Sequence, residues 1–276
     1  MINNTNKTIF ITGASRGVGL EIAKRFAKEG ANIAFVAKTV NPHPKLPGTI
    51  WTARDEILQA GANDVLAIPC DTRDLAALKN AINQAGEKYG KIDALINNAS
   101  SIHLLKIAEL PEKRYDLMQE IIVRASLFAS QYALPFLQKS SQAHILNLAP
   151  KPELKPKWFK NHTAYTLCKF SSGMMVMGLA EELRDKNIAV NALWPATLLD
   201  TAAVQNLLGG QSAIEKSRKP TIMADAAYYI LNQDSSNTGN YYLDEDIIVK
   251  AGLNLDSYSV VPGSELITDL YVEKNI

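Results

Sequence analysis

Thr8-Ile9-Phe10-Ile11-Thr12-Gly13-Ala14-Ser15-Arg16-Gly17-Val18-Gly19 is the stretch on which the fold turns. Apolar, β-branched residues up to Thr12 read as a short buried strand, and three glycines follow before an amphipathic run. Glycine at this spacing permits a tight turn and brings backbone amides and a helix N-terminus close enough to hold a pyrophosphate. A glycine-rich turn is weak evidence alone. Here a strand precedes it and a helix over Gly17 to Glu29 follows, so the segment reads as the opening β-turn-α unit of a dinucleotide site.

Working outward, the same alternation recurs. Further strands are predicted at Asn32 to Ala37, Asp64 to Pro69, Ala94 to Asn97, His144 to Leu148, Ala189 to Leu193 and Asn240 to Leu243. Helices are predicted between them at Trp51 to Ala60, Asp74 to Tyr89, about Pro111 to Leu137, Thr163 to Asp185 and Ala224 to Leu231. Strands alternating with crossover helices imply an α/β protein: a doubly wound, seven-stranded parallel sheet with helices on both faces. With 276 residues, 47% hydrophobic, and no long linker or charge block, one domain over 1–276 is expected.

Charge narrows the partners. The 29 Lys+Arg against 28 Asp+Glu leave no electrostatic footprint for nucleic acid or an anionic membrane, so the expected partner is a small-molecule substrate. No apolar run reaches the roughly 20 residues of a spanning helix, since Asn191 and Pro195 break the best candidate. Met1 to Lys7 lacks a secretory apolar core, and Cys70 and Cys168 read as buried thiols in a reducing compartment. A cytoplasmic location is the expectation.

Two segments leave the rhythm. Thr39 to Thr49, with Pro42, Pro44 and Pro47-Gly48, reads as an ordered loop. About 197–220 reads as a candidate substrate lid hinged at Gly209-Gly210.

Chemistry is carried by Tyr165 and Lys169, four apart on one helix and so on one face. About 20 residues past the glycines, where an NAD site carries an acid for the ribose hydroxyl, stands Ala37-Lys38-Thr39. Lys38 and Arg16 place cations where a 2′-phosphate sits, which predicts NADP(H). Asp71, past the third strand, is placed for the adenine amino group, and Asn98 and Ala99 for the wall of the cleft.

With the glycine motif, Asn97-Asn98-Ala99-Ser100, Tyr165-x-x-x-Lys169 and Asn191-Ala192-Leu193-Trp194-Pro195 in this order, the chain resembles the short-chain dehydrogenase/reductase family over nearly its whole length. More narrowly, Ala37-Lys38-Thr39 with Pro42 to Ile50, Ala143 to Asn147, Trp158-Phe159-Lys160 and Leu207-Leu208-Gly209-Gly210 resemble its hydroxysteroid dehydrogenase-like branch, without the sterol-carrier-like domain of animal members. The resemblance implies a single-domain Rossmann fold and an NADP(H)-dependent oxidoreductase acting on a carbonyl or alcohol. It implies cofactor contacts from Gly13, Ser15, Arg16, Gly17, Val18 and Gly19, then from Lys38, Asp71, Thr72, Asn98 and Ala99, and from Lys169, Pro195 and Thr197. Tyr165 becomes the catalytic acid/base, with Lys169 lowering its pKa and holding the nicotinamide ribose. Pairing of two long helices between subunits implies a homodimer or homotetramer.

Two positions depart from the family pattern. The serine that orients the substrate oxygen falls on Asn147-Leu148-Ala149-Pro150, where neither Ala149 nor Pro150 has a hydroxyl. The proton-relay asparagine falls on Ile122, which keeps a backbone carbonyl but has no side-chain amide. Losing one preorganised donor typically costs about 10² to 10³ in rate, so the first loss predicts a slow enzyme rather than a dead one. Ser100, Ser101, His103, His162 and Thr163 are candidate substitute donors, although each reads more readily as a cap, turn or surface residue. Trp158, Phe159, Trp194 and Leu198-Leu199 point to a lipophilic substrate, and Met174, Met175 and Met177 with Gly173 to a helix interface. A competing reading keeps the cofactor and drops the chemistry, as a redox sensor or partner-binding protein.

Overall fold

β1 (Thr8–Thr12) is buried along its whole length because strands flank it on both sides and helices cover both faces. The computed structural model describes residues 5–42 and 47–273. β2 (Asn32–Ala37), β3 (Asp64–Pro69), β4 (Ala94–Asn97), β5 (Ala143–Asn147), β6 (Ile188–Trp194) and β7 (Tyr241–Leu243) complete one parallel sheet of order β3-β2-β1-β4-β5-β6-β7. This is the doubly wound Rossmann-type fold expected, in a single domain. The strand order reverses between β1 and β4, which opens a crevice at their carboxyl ends.

The pleat of β1 divides the core. Ile9 and Ile11 point to one face, with Phe26 of α1 (Gly17–Ala27), Ile57 of α2 (Ile50–Gln59), Ile222 of α9 (Thr221–Ile230) and Ile248 of α10 (Asp244–Lys250). Phe10 points to the other, with Leu78 of α3 (Leu75–Tyr89), Leu137 of α5 (Ala125–Leu137) and Val176 of α6 (Thr163–Glu182). α3 and α5 approach closely because Gly86 has no side chain: a Cβ built there would fall inside the Phe136 ring.

Three differences from expectation have physical causes. The helix predicted from Pro111 to Leu137 is three consecutive pieces, α4 (Glu112–Met118), a π-helical turn over Gln119–Arg124, and α5. The extra residue in that turn brings Ile122 into an apolar cluster with Met118 and Tyr165. The segment read as a lid carries two short helices, α7 (Ala202–Leu207) and α8 (Gly210–Glu215), joined where Gly209 and Gly210 take φ of +126° and +63°. Gly173 faces Pro150 and Pro152 rather than a helix partner, while Met174 and Met177 are exposed. In the loop before α2, Thr49 caps that helix by accepting from the Thr52 amide; His43 to Leu46 lie outside the described residues.

Gly86→Ala should destabilise the fold by roughly 1 to 3 kcal/mol, since neither the helix backbone nor the Phe136 ring has room to yield. A urea midpoint that falls at unchanged slope is the expected signature. His144, on β5, has Nε2 3.1 Å from the Gln233 carbonyl, and burial, then Lys7, push its pKa down to about 4. The unfolded imidazole gains its proton near pH 6.5, so stability from this group is full above that pH. It should fall as the pH drops toward 4, by about 1.4 kcal/mol per unit at most. His144→Gln should flatten that part of the stability curve.

Candidate active site

At the carboxyl ends of β1 and β4 the glycine turn is held by paired backbone and side-chain bonds. Gly13 and Gly17 adopt φ of +74° and +57°, open to residues without a Cβ, and Gly13 N donates to Val36 O at 2.8 Å. Asn98 Nδ2 donates to Thr12 O at 2.8 Å and Gly13 O at 2.7 Å, while Thr12 Oγ1 accepts from the Asn98 and Ala99 amides. A Cβ on Gly19 would lie 2.5 Å from that same Asn98 amide nitrogen, so the α1 N-terminus can come this close only with glycine there. Ser15 is buried beneath the turn, and Val18 packs against the core. The glycines therefore leave an open cradle facing a helix N-terminus, which suits a dinucleotide pyrophosphate.

The two cations read from the sequence are engaged by protein groups. Arg16 donates from Nε to Pro47 O at 2.8 Å and from Nη2 to Gly48 O at 3.0 Å. Lys38, 70% exposed at its side chain, lies 3.0 Å from Asp71 Oδ2. Asp71 also takes a two-pronged contact from Arg73, and that bond, with Lys38, holds its carboxyl far below the usual carboxylate range. Thr72 beside it is buried. β2 and β3 create this cluster by pairing Ala37 with Pro69, which sets the residues that follow each strand side by side.

Across the crevice, Pro195 and Thr197 follow β6, and the Thr197 hydroxyl is buried with no hydrogen-bond partner among the described residues. Thr201, the N-cap of α7, has its methyl 4.0 Å from where a Gly17 Cβ would stand, so α7 faces the glycine turn. Sequence reading did not single out Thr201.

Tyr165 and Lys169 lie on α6, whose position is set by a buried amide ladder. Asn97 Nδ2 donates to Asn147 Oδ1 at 2.8 Å, and Asn147 Nδ2 donates to Ser172 O on α6 at 3.2 Å. Lys169 Nζ donates to Leu148 O at 3.0 Å and lies 5.0 Å from the Trp194 ring centroid. Burial lowers the Lys169 ammonium to about 8 against the opposing pull of Asp269. Tyr165 is 4% exposed, and its hydroxyl makes no hydrogen bond among the described residues. The expectation that Lys169 lowers its pKa is reversed here. Burial first, then Tyr271, Asp269 and Cys168, raise the phenol well above its ordinary value, so it is a proton donor at neutral pH.

Known proteins share this fold. The short chain dehydrogenase family model matches residues 7–211. The chain belongs to the short-chain dehydrogenase/reductase family. It is similar to hydroxysteroid dehydrogenase-like protein 2 of Danio rerio, at 50% identity over 99% of this chain, and of Homo sapiens, at 46% over 99%. The chain spans 66% of the length of each of those relatives. A short chain dehydrogenase from Mycobacterium thermoresistibile superposes with a TM-score of 0.92 at 50% identity, covering 98% of this chain and 96% of its own. A metagenomic short-chain oxidoreductase in complex with NADP shares the fold with a TM-score of 0.70 at 20% identity, covering 88% of this chain and 97% of its own. Members of the family bind nicotinamide cofactors and are generally oxidoreductases.

Against that family pattern the departures at 149, 150 and 122 are packed rather than vacant. Ala149 and Pro150 are buried, Pro150 against Gly173 of α6, and Ile122 is 2% exposed beside Tyr165 and Cys168. Two of the candidate substitute donors, Thr163 and His162, have other partners. Thr163 Oγ1 donates to Phe159 O at 2.8 Å, His162 Nδ1 lies 3.1 Å from Thr166 Oγ1, and burial, then Arg114, push the His103 pKa down. Asn98→Ala should cost about 1 to 3 kcal/mol in chemical denaturation, because it strands the Thr12 and Gly13 carbonyls. Faster amide exchange confined to the glycine turn is the expected local signature.

Proposed function

We propose that this chain is an NADP(H)-dependent oxidoreductase acting on the carbonyl, or the corresponding alcohol, of a lipophilic small molecule. The observation that carries the reading is the buried Tyr165 phenol, without a hydrogen-bond partner among the described residues and one turn from Lys169 on α6. Gly13, Ser15, Gly17, Val18 and Gly19 would receive the pyrophosphate. Arg16 and Lys38 would meet the 2′-phosphate, with Asp71 and Thr72 beside the adenine. Asn98 and Ala99 would wall the cleft, and Pro195 and the unpartnered Thr197 hydroxyl would face the nicotinamide end.

A nicotinamide held there would supply or accept hydride. Tyr165 would donate its proton to the substrate oxygen in reduction, and the Lys169 ammonium would stabilise the phenolate left behind and could bind the ribose. The walls are apolar: Met118, Ile122, Phe170 and Trp194 pack around Tyr165, with Trp158 and Phe159 at the margin. That lining favours substrates with a hydrocarbon body and excludes water from the proton transfer. Gly209-Gly210 would let α7 and α8 move as the lid. Exposed Leu127, Leu167, Met174 and Met177 on α5 and α6 support a homodimer or homotetramer. The free, buried thiols of Cys70 and Cys168 accord with the cytoplasm, and among the described residues no helix is long and apolar enough to cross a membrane.

NADPH is expected to bind more tightly than NADH, with Lys38→Ala narrowing the gap; tighter NADH binding overturns the cofactor assignment. In a screen of carbonyls with NADPH, Tyr165→Phe should abolish turnover while the cofactor still binds. If nothing turns over in the parent while NADPH binds, the chain is a cofactor-binding sensor. Ala149→Ser with Ile122→Asn should raise the rate, by up to the roughly 10² to 10³ that one oriented donor is worth. An unchanged rate would mean that another group has taken over those roles.

A further inference from the structure

Residues Ile267–Glu273 lie beyond the 7–211 matched by the family model, yet they form one wall of the candidate site. Their backbone is bonded to the segment after β6. Leu198 N donates to Ile267 O at 2.9 Å, Asp269 N donates to Ala196 O at 3.0 Å, and Trp194 Nε1 donates to Leu270 O at 2.8 Å. Tyr271 follows at φ +67°, a left-handed conformation that a bulky side chain holds only where its surroundings over-determine it.

Those surroundings are the neighbours of the acid/base candidate. The Tyr271 ring is 8% exposed and lies 6.5 Å from the Tyr165 ring with planes 26° apart. Phe170 and Trp194 rings stand 5.0 and 5.9 Å away. The Tyr271 hydroxyl is 3.1 Å from Thr166 Oγ1, and Thr166 donates its own proton to Trp158 O at 2.6 Å, so Tyr271 is the donor of the pair. The residue is thus fixed at both ends, by strained backbone and by a buried hydroxyl.

We propose that Tyr271 is a positioning residue of this site: with Ile122 it walls the flank of Tyr165, sets the orientation of that ring, and keeps water from the phenol when an apolar substrate is bound. The inference rests on the reading of Tyr165 as the acid/base. The titratable and charged groups around Tyr165 are Cys168 and Lys169 on its own helix, His162 just before that helix, Tyr115 on α4, and Asp269 and Tyr271 on the carboxyl-terminal segment. Among them Tyr271 is the one whose ring lies nearly parallel to that of Tyr165.

The test titrates Tyr165 in the full chain by NMR, with tyrosine labelled at the ring carbon that bears the hydroxyl. The Tyr165 signal is identified by its loss in Tyr165→Phe. In the parent and in Tyr271→Phe it should ionise above the ordinary value near 10. In Tyr271→Ala, and in Tyr271→Leu as a bulkier replacement that protects folding, it should move down by about one unit as water reaches the phenol. Both variants titrating like the parent would overturn the proposal, as would a parent Tyr165 that titrates at the ordinary value. A Tyr271→Phe signal that drops as far as that of Tyr271→Ala would overturn the role given to the ring. The titration requires no turnover, so it is separate from the carbonyl screen: Tyr165→Phe retaining full activity would remove the acid/base reading without moving these signals.

Discussion

The close approach of the glycine turn to the end of β4 is the constraint on which the rest of the site depends. Asn98 satisfies two carbonyls of that turn, Thr12 satisfies two amides beyond β4, and Gly19 leaves the space in which the amide sits. Together they hold the α1 N-terminus at the point where the strand order reverses. Any side chain on Gly19, or the loss of Asn98, would move the helix end away from the crevice. The cradle exists because two elements distant in sequence share one amide.

Burial decides the chemistry at the other side of the crevice. In water a lysine beside a tyrosine favours the phenolate. Here the phenol is surrounded by Met118, Ile122, Phe170, Trp194 and Tyr271, desolvation raises its pKa, and the lysine nitrogen is turned to the Leu148 carbonyl. The result is a phenol held in an apolar wall. Ala149, Pro150 and Ile122 belong to the same trend, each a buried residue without a polar side chain.

Much of this was legible in the residue pattern, and the exceptions share a cause. Strands β1, β2 and β4 fall where short, mainly apolar runs put them, since a parallel strand covered on both faces is mainly apolar, and β3, at the sheet edge, is only partly buried. α7, α8 and α10 went unread because each is six or seven residues long, too short to display a helical period. Lys38 and Arg16 were legible as cations beyond β2 and in the glycine turn, but their partners were not. Asp71 reaches Lys38 through the β2–β3 register, and the Pro47 and Gly48 carbonyls reach Arg16 through the packing of the loop before α2.

The sequence by itself determined the sheet, the glycine turn, the placement of Tyr165 and Lys169 on one helix face, and the lack of a hydroxyl at 149 and an amide at 122. These follow from local rules: strand and helix periodicity, the freedom of glycine, and the chemistry of single side chains. Only the tertiary structure decided that Tyr165 is buried, that its neighbour is Tyr271, and that Asn98 braces the turn. Those outcomes depend on contacts between residues far apart in the chain, where desolvation and hydrogen-bond satisfaction are settled by packing and leave no periodic trace in the sequence.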